Sequence, residues 1–249
     1  MEVRRLVVSF DRVAKIYDKT RDYPVSVMDK IIKTLINELE GYVNVLEVGV
    51  GTARFAKPLQ DHGYNVVGID VSLEMLRKAA EKEMRNLLVG NVCNLPFKDD
   101  SFDVTMSAGL LHLVKEWKAT LLEISRVTKK LMMSVIHTGE NPASKEYRDL
   151  LAEYGCNLSQ LGISERELGT IVKPVKLIDV TTYETSVRKS LASLKWKAYS
   201  YQWDAPNEIH RRVMKQLKTR PLPKNYSVKI EVLIWSINGV RDFVIFRRD

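Results

Sequence analysis

Along the first 137 residues, short continuous apolar runs take turns with stretches in which apolar residues recur every three or four positions. Val43 to Val48 and Asn65 to Asp70 have the length and β-branched content of buried strands. Leu87 to Val92 is a third strand and its turn, a fourth closes on Ser107, and Leu131 to His137 is a fifth. Phe55, Ala56 and Leu59 open an amphipathic helix after the first strand. Met75, Leu76 and Ala79 mark another, capped by Ser72, and a third spans Glu116 to Lys129. Strands that alternate with helices need crossover connections and therefore a parallel sheet. The expectation is an α/β, doubly wound architecture, with a ligand crevice outside the carboxyl ends of the first strands where the strand order reverses.

The second half follows a different pattern. Ala143 to Tyr154 and Ser164 to Val172 read as helices, the latter with a Ser164-x-x-Glu167 capping box, and Lys176 to Tyr183 reads as a further strand. Val187, Leu191, Leu194, Ala198 and Tyr201 make one apolar stripe; Ile209, Val213 and Leu217 make another after Pro206. These helices exceed what a minimal sheet needs and are read as an insertion over the crevice. Val228 to Ile237 and Val240 to Arg247 flank Asn238-Gly239, which reads as a closing β-hairpin.

The chemistry concentrates in Val45-Leu46-Glu47-Val48-Gly49-Val50-Gly51-Thr52-Ala53-Arg54-Phe55, where a glycine turn joins a buried strand to a helix with an acid just before it. Gly49 and Gly51 allow a tight turn and close approach of a ligand to the backbone. A dinucleotide pyrophosphate calls for a third glycine three residues after Gly51 and no nearby carboxylate. This chain has Arg54 there and Glu47 beside the turn, so NAD is not expected. S-adenosylmethionine has no phosphate and carries a sulfonium and an ammonium group, which Glu47 favours. The spacing resembles the first motif of class I S-adenosylmethionine-dependent methyltransferases. Asp70 ends the second strand 21 residues after Gly49, the offset at which a carboxylate accepts from ribose hydroxyls.

Further segments are similar to the same family, and Leu95 to Ser107 resembles its type 11 group in order and distance from the first motif. The resemblance implies that Val71 and Met75 lie near the adenine, Met75 being otherwise a core residue. It implies that Gly90-Asn91-Val92 replaces an adenine-recognising Gly-Asp-Ala, the Asn91 amide oxygen serving as acceptor, and that Ser107 belongs to the cofactor set. Phe10 to Pro24 resembles the family's amino-terminal lid, with Tyr17 and Arg21 closing over the methionine half. Ala53 departs from a frequent third glycine, and no Pro-Gly-Gly follows Thr128-Lys129-Lys130. The implied fold is a Rossmann-like, doubly wound, mainly parallel seven-stranded sheet with antiparallel closing strands and a helical cap insertion. As one domain over residues 1–249, it divides into a lid (1–30), a cofactor-binding core (41–137), a cap with its connections (138–225) and a closing hairpin (226–249).

Methyl transfer from a sulfonium is an in-line displacement that needs positioning more than a strong catalytic group. Ser107-Ala108-Gly109-Leu110 is not the Asn/Asp-Pro-Pro-Tyr sequence that binds a planar amine. His112, just beyond, is the candidate base, and a cofactor contact or helix cap is open to it as well. Trp196, Tyr199, Tyr201 and Trp203 are candidates for a substrate pocket.

The chain of 249 residues has room for a full core, no run near the roughly 20 apolar residues of a membrane span, and a start too short in apolar residues for a signal peptide, so a cytoplasmic protein is expected. Cys93 and Cys156 are too few for a disulfide framework and lack metal-ligand spacing to the histidines, so no metal is expected. The net charge of +8 lies wholly in the carboxy-terminal quarter: residues 188–249 hold 14 Lys or Arg against 5 Asp or Glu. Three functions follow: a methyltransferase for a small organic acceptor, yielding S-adenosylhomocysteine; an RNA methyltransferase using the basic cap; or a non-catalytic S-adenosylmethionine-binding regulator. The first is preferred, because no RNA-binding module is recognisable and the basic residues are mixed with apolar ones. The oligomeric state is not legible.

Overall fold

The computed structural model describes residues 8–156 and 161–246; positions 1–7 of the expected lid, 157–160 of the expected cap and Arg247 of the expected hairpin lie outside them. Seven strands form one sheet: β1 (Asn44–Val48), β2 (Asn65–Asp70), β3 (Leu87–Val89), β4 (Phe102–Ser107), β5 (Thr128–Thr138), β6 (Lys176–Ser186) and β7 (Asn225–Ser236), in the order β3-β2-β1-β4-β5-β7-β6. The pairs among β1 to β5 are parallel. The long β7 runs antiparallel between β5 and β6. The expected mixed α/β sheet with antiparallel closing strands is therefore present, and the order reverses between β1 and β4, which opens a crevice at their carboxyl ends.

Alternation along each strand sorts side chains onto two faces. Val45, Val104, Met106 and Met133 pack with helices α2 (Val25–Glu38) and α3 (Ala56–Asp61). Leu46, Val48 and Met132 pack on the other face with α5 (Trp117–Val127), α7 (Glu165–Ile171) and α10 (Ile237–Phe246). Helix α4 (Leu73–Glu81) follows β2, and Ser72 caps it by accepting from Met75 N. The Ser164–Glu167 capping box at α7 forms as the sequence indicates.

The cap has a core of its own. Helices α6 (Pro142–Glu153), α8 (Val187–Lys195) and α9 (Asn207–Leu217) bury Tyr147, Leu150, Leu194 and Val213 against one another. It is discontinuous in sequence, because α7 and β6 return to the sheet between α6 and α8.

The closing hairpin is corrected. Asn238 and Gly239 lie in the first turn of α10, not between two strands. Ser236 Oγ accepts from Gly239 N at 3.2 Å, as an N-cap does. Ile237, Val240 and Val244 are buried in the second core, and Phe243 stacks on Trp117. Their three- and four-residue spacing outweighs the turn preference of Asn-Gly, because it buries one helix face on α5. Among the described residues no helix is long and apolar enough to cross a membrane.

Candidate active site

The crevice is built on the β1 turn. Gly49 (φ +68°) and Gly51 (φ +55°) occupy the left-handed region, and a Cβ on Gly49 would stand 2.8 Å from Leu110 Cδ1. The turn is tied to the next strand: Gly49 N and Val50 N donate to Ile69 O, and Gly51 N donates to Asp70 Oδ2 at 2.8 Å. Asp70 Oδ1 accepts from Ser72 N at 2.8 Å. One carboxylate thus fixes both loops while its outer edge faces the cleft lined by Tyr17, Gly51, Val71, Met75 and Val92. Burial pushes the Asp70 pKa up, against the backbone N–H groups of Ser72, Gly51 and Val71 that stabilise its anion. Ala53 sits at φ 58°, a conformation that costs an L-residue on the order of 1 kcal/mol; the absent third glycine leaves the turn's geometry in place.

Glu47 points to the same face as Val45 and is 3% exposed. Its Oε2 has no hydrogen-bond partner, and burial raises its pKa from the ordinary 4.5 to about 8, with Arg54 nearby only partly opposing the shift. A buried carboxylate oxygen without a partner is an unsatisfied acceptor at the glycine turn.

The amino-terminal segment covers this cleft. After a short 3-10 turn at Asp11–Val13 comes α1 (Ala14–Arg21). Asp11 Oδ1 accepts from Ser72 Oγ at 2.6 Å and Glu74 N at 3.1 Å, adding a carboxylate to the positive end of α4. Asp18 accepts from Thr52 Oγ1 and pairs with Lys82. Arg21 donates to Ala198 O and lies 4.1 Å over the Tyr199 ring, joining lid to cap. Phe10 packs on Trp203, whose indole N–H donates to Lys197 O. Asp11 and Asp18 escaped the sequence reading because their partners are 34 to 63 residues away.

Several assignments shift. Asn91 Oδ1 accepts from Cys93 N and shapes the turn, while Gly90 and Val92 supply the cleft wall. Ser107 is fully buried and donates to Glu165 Oε1, so it supports the floor rather than lining the cleft. Glu165, 3% exposed, also accepts from Leu110 N and Leu111 N, and thereby sets the loop after β4. Trp196 is 65% exposed and faces solvent. Trp203 is a lid contact. Tyr199 and Tyr201 stack at 5.4 Å, with the buried Tyr201 hydroxyl unpartnered.

His112 lies in the 3-10 turn Leu111–Leu113; burial lowers its pKa, opposed by Glu165 and reinforced by Arg21, which favours the neutral imidazole. His137, which sequence pattern alone does not mark, is the penultimate residue of β5. The residue is exposed, yet desolvation and the charges of Arg21, Arg54 and His112 hold its pKa down. Only its place at the end of the fifth strand could have pointed to it.

The family model of the methyltransferase domain matches residues 46–131, from β1 into β5. This segment of the chain is similar to a methyltransferase domain. The glycine turn, Asp70 and Ser107 lie within that match. Over 150 residues the domain and its flanks are 35% identical to a demethylmenaquinone methyltransferase of Renibacterium salmoninarum, covering 58% of this chain and 63% of that protein. The chain thus spans less than two thirds of that relative. A malonyl-[acyl-carrier protein] O-methyltransferase of Buchnera aphidicola is 26% identical over 237 residues, 91% of this chain and 92% of its own. The geranyl diphosphate C-methyltransferase of Streptomyces coelicolor, solved with Mg2+, geranyl diphosphate and S-adenosylhomocysteine, shares the methyltransferase fold at a TM-score of 0.51 and 14% identity, over 92% of this chain and 89% of that one.

Proposed function

We propose that the protein is an S-adenosylmethionine-dependent methyltransferase acting on a small organic acceptor. The observation that carries this reading is the pair of carboxylates on either side of the glycine turn: Asp70, open to the cleft, and Glu47, buried with a free oxygen. Asp70 would accept from the ribose hydroxyls, Val71, Met75 and Val92 would hold the adenine, and Glu47 would take the ammonium. Tyr17 and Arg21 would close the methionine end. When bound, the cofactor supplies a methyl group already activated on a sulfonium. The chain's own part is to position the acceptor, exclude water beneath lid and cap, and offer neutral His112 or His137 to a proton leaving the acceptor.

The small-acceptor reading is also supported by the fate of the basic residues. Arg212, Arg220 and Lys229 of the carboxy-terminal quarter pair with Glu208, Glu146 and Asp179, which leaves less free charge for a polyanion than composition suggests.

Calorimetry with S-adenosylhomocysteine tests the cofactor assignment. Its ammonium favours ionised Glu47, so binding should expel the proton that Glu47 holds below about pH 8. Affinity is therefore expected to rise with pH toward about 8 and then level, with proton release near neutrality that Glu47→Gln abolishes. NAD should bind at least a hundredfold more weakly. Equal affinity for NAD, or proton uptake instead of release, would contradict the assignment.

A further inference from the structure

We propose that the methyl acceptor is a small acid, and that Arg54 binds its carboxylate. This rests on the cofactor reading above and extends it to the other half of the site. Arg54 sits in the β1 turn, three residues after Gly51. Its guanidinium lies 5.6 Å from the Tyr17 ring centroid and 5.2 Å from that of Tyr23, and among the described residues it makes no ion pair. Glu47 lies within electrostatic range but forms no ion pair with it. A guanidinium lined by ring faces, with one N–H directed to the Tyr23 hydroxyl, keeps the rest of its in-plane fork for a planar oxyanion.

The charge balance around Arg54 leads to the same conclusion. Arg21 and Arg54 both act on His137, and Arg21 acts on His112. Nearby acids are already committed: Asp18 to Lys82 and Thr52, Asp22 to Lys189, and Glu165 to the loop after β4. The cofactor's amino-acid end brings one carboxylate, which Arg21 can take from the lid, together with an ammonium that Glu47 answers. The sulfonium adds a further positive charge. Arg54 is then left as an uncompensated cation, half-buried, and a neutral acceptor would leave it so. An anionic acceptor removes that cost and is drawn into the recess by the same field. The tyrosine faces around Arg54 suit an apolar or aromatic body on that acid.

The test uses the full chain saturated with S-adenosylhomocysteine and two probe pairs, benzoate with benzamide and succinate with succinamide, titrated calorimetrically. Each carboxylate is expected to bind at least tenfold more tightly than its amide. Arg54→Gln should remove that preference while the variant keeps S-adenosylhomocysteine affinity within threefold, and Arg54→Lys should restore part of it. Arg21→Gln should instead weaken S-adenosylhomocysteine. Carboxylates binding no better than amides to the wild-type protein would overturn the proposal without any variant. Arg54→Gln lowering cofactor-product affinity as much as probe affinity would also overturn it, by giving Arg54 to the methionine carboxylate. If S-adenosylhomocysteine itself fails to bind, the cofactor reading falls first and this inference with it.

Discussion

Asp70→Ala is expected to lower S-adenosylhomocysteine affinity by about a hundredfold or more. A charged hydrogen bond contributes about 1.5–3 kcal/mol, and the substitution removes the acceptor for two ribose hydroxyls. The same change frees Gly51 N and Ser72 N, which Asp70 now holds at 2.8 Å each, so the turn loses its tie to β2 as well as its ligand. Asp70→Asn keeps an acceptor oxygen and should fall between the two. Calorimetry on protein whose circular dichroism is unchanged gives the answer. Wild-type affinity in a folded Asp70→Ala protein would remove Asp70 from the site.

A comparable effect on stability is expected from Glu165→Ala. Its Oε1 satisfies the Ser107 hydroxyl and the N–H groups of Leu110 and Leu111, all buried. Leaving buried donors without partners costs about 1–3 kcal/mol each, so a loss on the order of 3 kcal/mol in urea unfolding is expected after some relaxation. The loop it sets carries His112 and closes against Gly49 through Leu110, so cofactor-product affinity should fall in parallel. Glu165→Gln, which retains an acceptor, should recover about half. A loss under 1 kcal/mol for the alanine variant would show that water replaces the carboxylate and that the loop is held elsewhere.

The parts legible in the sequence were those written at short range. Strand periodicity located β1, β2 and β5, and the acids that end β1 and β2 follow from fixed offsets within one βαβ unit. The Ser72 and Ser164 caps were readable for the same reason, each pairing lying within three residues. What sequence pattern missed was tertiary. Glu165 reaches Ser107 across 58 positions, and Asp11 reaches Ser72 across 61. His137 feels the charges of Arg21 and Arg54 only because β5 brings it near the lid and the first turn. Asn238-Gly239 shows the opposite failure, in which a strong local preference yields to burial: the helix packs Phe243 on the same core as Ile237, Val240 and Val244, whereas a hairpin would turn Phe243 to the face opposite the other three. Trp196 was chosen for its chemistry, but it follows the last turn of α8 and faces out.

The most direct test of where the cofactor binds is amide hydrogen exchange with and without S-adenosylhomocysteine. Protection is expected in three separate stretches at once: residues 49–53 of the glycine turn, 70–75 at the end of β2 and the start of α4, and 10–21 of the lid. Among these, Gly51 N should gain most, because its partner Asp70 becomes locked between loop and ribose. Protection confined to other surfaces, or none in the glycine turn at saturating ligand, would contradict the account.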